Sequence, residues 1–100
     1  MAPGLTDRRS QVERRLFDAN AQLLRTRSEL EIVDAQLAAL QDEADEAQIR
    51  MLVSETALAH RAWREAQGHL ELLKKERASV LERIADLERK QDELLAKLVL

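Results

Sequence analysis

Residues 16–51 read LFDANAQLLRTRSELEIVDAQLAALQDEADEAQIRM. Leu16, Leu23, Leu30, Leu37, Ala44 and Met51 recur at every seventh position of this stretch, and Ala19, Thr26, Val33, Leu40 and Ala47 interleave with them at spacings of three and four. Val12 carries the second row one heptad further toward the N-terminus. An apolar stripe with a period of about 3.5 residues stays dry only when it lies along another helix. The first row therefore takes the a positions, and the second the d positions, of a coiled-coil seam.

The second half of the chain has its own heptads. Thr56, Trp63, Leu70, Arg77, Ile84, Gln91 and Leu98 form one row, with Ala59, Ala66, Leu73, Val80, Leu87 and Leu94 in the other. The two frames are out of step by two residues around positions 52–57, which at ~100° per residue carries the stripe of a straight helix to about its opposite face. A reversal of the chain there returns both stripes to one interface. The polar triplet Ser54-Glu55-Thr56 falls at this point, and Ser or Thr can cap the helix that follows.

The expected fold is thus all-α, an antiparallel coiled-coil helical hairpin. Ser10 and Glu13 read as a capping box that starts the first helix, so residues 1–9 are expected to be a flexible leader and 10–100 one hairpin domain. The helices are placed at about 10–52 and 57–98 with the turn at about 53–56. Back-folding sets Leu16 against Leu94, Leu23 against Leu87, Leu30 against Val80, Leu37 against Leu73, Leu40 against Leu70 and Val12 against Leu98. Trp63 meets the small Ala47, and Ala44 meets Ala66. Two flanking ion pairs follow, Glu29 with Arg83 and Asp34 with Lys74, while Arg15 and Lys97 oppose each other as like charges. Thr26, Arg77 and Gln91 are polar guests in the seam, where they tune register or reach toward solvent; Arg77 could instead meet an acidic group on a partner. A competing architecture is one uninterrupted helix pairing in parallel with a second copy.

Composition agrees with long helices. Charged residues make up 35% of the chain and aromatics only 2%, too few large side chains for a layered globule. Only Gly4, Gly68 and Pro3 are glycine or proline, so almost nothing after Leu5 breaks a helix by backbone chemistry. The 100 residues hold no cysteine, which excludes disulfide frameworks and thiol chemistry. No stretch approaches the ~20 apolar residues of a membrane span, and a cytoplasmic location with no membrane partner is the expectation. A net charge of −3 sets up no broad field for nucleic acid.

Two lone helices bury little surface per residue, so a covering partner is expected. Phe17 and Leu24 at b positions of the first arm, Leu81 and Leu95 at e of the second, and Ala78, Ala85 and Val99 at b of the second project to one side of an antiparallel pair. This flank is the candidate interface, either for a homodimer that closes a four-helix bundle or for another helical protein.

No catalytic, cofactor or metal site is expected. A two-helix pair offers no enclosed pocket to perturb its carboxylates. Ser10, Ser28, Ser54 and Ser79 have no histidine placed for a triad, and His60 and His69 lack the i, i+4 spacing that lets one helix hold a metal. The acidic run of Asp42, Glu43, Asp45 and Glu46 reads as a solvated face. The resulting expectation is a non-catalytic interaction module, namely an adaptor, scaffold or regulatory subunit acting through helix faces. The alternative is a nucleotide- or nucleic-acid-responsive regulator that binds through Arg8, Arg9, Arg14 and Arg15, or through His60, Arg61 and Arg64 near the turn.

Overall fold

A computed structural model describes the backbone of residues 3–99 and the side chains of residues 7–99. Helix α1 spans Pro3–Ser54 and helix α2 spans Ala57–Val99, and the two form an antiparallel hairpin. No described helix is long and apolar enough to cross a membrane.

The first helix begins earlier than the capping box suggests. Residues 3–9 are helical, so Ser10 sits inside α1 and caps nothing. Pro3 at the first helical position loses no hydrogen bond, because the first amide donors of a helix have no internal acceptor. Glu13, assigned to the capping box, instead accepts a hydrogen bond from Arg9 Nε at 3.1 Å. With no breaker between Leu5 and Ser10, the helix covers positions 3–9 of the expected leader, and positions 1 and 2 lie outside the described residues.

The turn is short and chemically explicit. The Glu55 amide donates to the Met51 carbonyl at 3.1 Å and Glu55 itself has φ of 50°, the left-handed residue that closes a helix C-terminus. Glycine usually holds this place, since any Cβ is disfavoured there. Thr56 then caps α2: its Oγ1 accepts the Ala59 amide at 3.1 Å, and its carbonyl accepts the His60 amide at 3.1 Å. Thr56 is therefore exposed, in contrast to its assignment to the a row of the seam.

The described part of the hairpin gathers into two compact units. The terminal unit holds α1 up to Glu29 and α2 from Val80 onward, and the turn unit holds Leu30–Ser79. In the terminal unit Val12, Ala19, Leu23, Val80, Ile84 and Leu94 are buried, with Leu16, Leu87 and Leu98 half-buried. Val12, Ala19 and Leu94 form one cluster against which Leu16 and Leu98 pack. In the turn unit the buried residues are Val33, Ala44, Ala47, Leu70 and Leu73, and Leu30, Leu37, Leu40 and Trp63 are half-buried. Each fully buried side chain of the size of Leu23, Leu70 or Val80 contributes about 1.5–3 kcal/mol.

Candidate interaction surface

Ion pairs mark the flanks of the seam. In an antiparallel pair e positions meet e, and g positions meet g. Arg27 and Glu88, both at e, approach to 3.8 Å on one flank of the terminal unit. Glu29 and Arg83, both at g, approach to 3.0 Å on the other, with Arg83 donating. The pair expected between Asp34 and Lys74 is not formed. In the turn unit Arg77 Nε donates to Asp34 Oδ1 at 2.6 Å, and Lys74 lies 3.7 Å from Glu71 on its own helix. Arg77 starts at the seam edge and its long stem carries the guanidinium out to Asp34, so the acid that this arginine meets belongs to its own chain. Thr26, the other polar guest with an assigned partner, is buried and its hydroxyl donates to the Gln22 carbonyl at 2.7 Å. A buried hydroxyl satisfied within its own helix needs no external acceptor.

On the flank marked by Arg27 and Glu88 stand the residues proposed from sequence as an interface. Phe17 is 76% exposed and Leu24 55% exposed on α1. On α2, Leu81, Ala85, Leu95 and Val99 are exposed on the same unit, and Ala78, also exposed, belongs to the turn unit. The terminal unit therefore presents apolar side chains outside its seam. Arg27 and Glu88 occupy e positions on this same flank, a polar feature absent from the sequence reading of the stripe.

On the opposite, g flank of the terminal unit the chemistry changes sign. A groove of about 740 Å³ is lined by Arg8, Arg9, Arg15 and Lys97, with Gln11 beside them and Val12 and Leu98 as apolar floor. Of these cations only Arg9 has a carboxylate partner among the described residues, Glu13.

The turn unit carries a second apolar surface that sequence reasoning missed. Ile49, Leu52, Val53 and Leu58 are all exposed, and Ile49, Val53, Leu58, Ala59 and Ala62 line a shallow groove of about 580 Å³ beside Arg50 and Thr56. The signal was present in the run Ile49–Val53, where only Met51 belongs to the seam. In the same unit the half-buried Trp63 leaves its indole Nε1 enclosed without a hydrogen-bond partner. The acids of the acidic run are exposed; Asp45 accepts from Gln41 at 3.0 Å and Glu46 pairs with Arg50 at 3.4 Å. His60 and His69 are exposed, and no group of three or more metal-ligating side chains comes together among the described residues. The chain matches no family model, no curated protein and no solved structure.

Proposed function

We propose that this chain is a non-catalytic coiled-coil interaction module of the cytoplasm, an adaptor, scaffold or regulatory subunit, and that a second copy of the chain covers the e/b flank of its terminal unit to make a four-helix bundle. The observation that carries the reading is the exposure of Phe17, Leu24, Leu95 and Val99 beside an already closed seam. Apolar side chains grouped on one flank mark association surfaces more often than scattered single ones do. Arg27 and Glu88 favour a second copy as the occupant, because a neutral ion pair on a self-facing surface repels nothing and offers each copy both charges.

Sedimentation equilibrium tests the proposal. The wild-type chain is expected to be dimeric at micromolar concentration, and Phe17→Glu to be monomeric with unchanged helicity by circular dichroism. A wild-type monomer, or a Phe17→Glu variant that stays dimeric on dilution, overturns the assignment of this flank.

A further inference from the structure

The cationic groove on the g flank differs from the ion-paired stretches at the edges of the seam. Three ion pairs join α1 and α2 across the seam: Glu29 with Arg83, Arg27 with Glu88, and Asp34 with Arg77. At the groove the charges are alike. Arg15 and Lys97 occupy the same g register as Glu29 and Arg83, Arg8 lies one heptad before Arg15, and among the described residues no carboxylate lines the space between them. Glu13 is engaged by Arg9. An arrangement that gathers cations around a concavity, when the same flank pairs opposite charges at Glu29 and Arg83, leaves a site for an anion.

We infer that this groove binds a small polyvalent phosphate, such as the triphosphate group of a nucleotide or an inorganic polyphosphate, read by its charge and not by a base. Arginine is the side chain suited to that ligand, because its planar fork donates two parallel hydrogen bonds to phosphate oxygens, and three of the four cations are arginines. The volume lies in the range of sites that hold small ligands. No aromatic residue lines the groove, so a nucleobase finds no stacking surface. All four cations are exposed, so their attraction to an anion is open to screening by salt. The inference is independent of the flank proposed for the second copy, which lies on the other side of the seam.

Calorimetric titration of the full chain with sodium tripolyphosphate tests it. At low salt tripolyphosphate, ATP and GTP are expected to bind within about threefold of one another, and all three to weaken as salt rises. Arg15→Glu and Lys97→Glu are each expected to lose about tenfold or more, while Arg61→Glu, a cation of the turn unit, leaves the affinity unchanged. The milder Arg15→Gln keeps the test alive if charge reversal disturbs folding. Tripolyphosphate is expected to raise the melting temperature of the wild-type chain and to raise that of Arg15→Gln less. Absence of binding at low salt overturns the inference, as does an equal loss in Arg61→Glu. A single-stranded oligonucleotide that binds more than about tenfold tighter than tripolyphosphate also overturns it, by assigning the groove to nucleic acid.

Discussion

The terminal and turn units share one heptad grammar but fill it with different side chains. In the terminal unit the described apolar seam is built from Val12, Leu16, Leu23, Val80, Ile84, Leu87, Leu94 and Leu98 with one alanine, Ala19, and Thr26 and Gln91 are its polar members. Toward the turn the seam shrinks to Ala44, Ala47, Ala59 and Ala66 around the larger Met51 and Trp63. Ala44 is 0% exposed, so even a methyl side chain there is entirely enclosed. The contrast teaches that a heptad pattern sets which face is buried, while residue size sets how each stretch of that face tolerates change. Large seams lose most by truncation, and small seams by enlargement.

The largest expected effect therefore comes from cutting a leucine. Leu23→Ala in the terminal unit and Leu70→Ala in the turn unit, both 2% exposed, should each cost about 2–5 kcal/mol in urea unfolding. A cost below about 1 kcal/mol at either site would break the claim that both units share a close-packed seam. The converse substitution sharpens the contrast. Ala44→Leu should destabilise by roughly 1–3 kcal/mol although it adds apolar surface, because the enclosed site has no room for it. Stabilisation there would show that the alanine stretch is loose.

The turn supplies the next scale. Thr56→Ala removes the acceptor for the Ala59 amide and should cost about 0.5–2 kcal/mol. Two further substitutions should raise stability by about 0.5–1 kcal/mol each, since the chain carries glutamate where glycine suits the backbone and glycine where alanine does. They are Glu55→Gly at the left-handed position and Gly68→Ala inside α2, where an added Cβ meets nothing within 4 Å. Thermal melts that fall for both would contradict the described turn and helix. At the small end, a double-mutant cycle on Glu29 and Arg83 should give a coupling of ~0.2–1 kcal/mol that fades with salt, because both side chains are about half exposed.

Much of this fold was legible because periodicity acts on the backbone. The rows through Val12 and Leu16 mark residues that are buried or half-buried in the structure, from the terminal unit to Met51. The reversal was legible in the mismatch of two frames and in Ser54-Glu55-Thr56. What escaped depends on finer physics. The start of α1 at Pro3 escaped because Ser10 and Glu13 make a capping signature that an uninterrupted run of helix formers overrides. Arg77 displaced Lys74 as the partner of Asp34 because side-chain reach, invisible in a heptad register, decides which of two cations arrives. The exposed apolar cluster of Ile49, Leu52, Val53 and Leu58 escaped because attention to the seam discounts apolar residues off it.

The central claim is that one chain reverses on itself, and a distance within the terminal unit tests it most directly. Because the chain has no cysteine, spin labels can be placed through Arg14→Cys and Ala96→Cys at exposed positions of α1 and α2. Diluted into unlabelled protein, the doubly labelled chain should give an electron–electron distance below about 40 Å, set by two packed helices and the label arms. A distance near ~120 Å, the span of an unbroken helix between the two positions, would contradict the hairpin and every surface assigned from it.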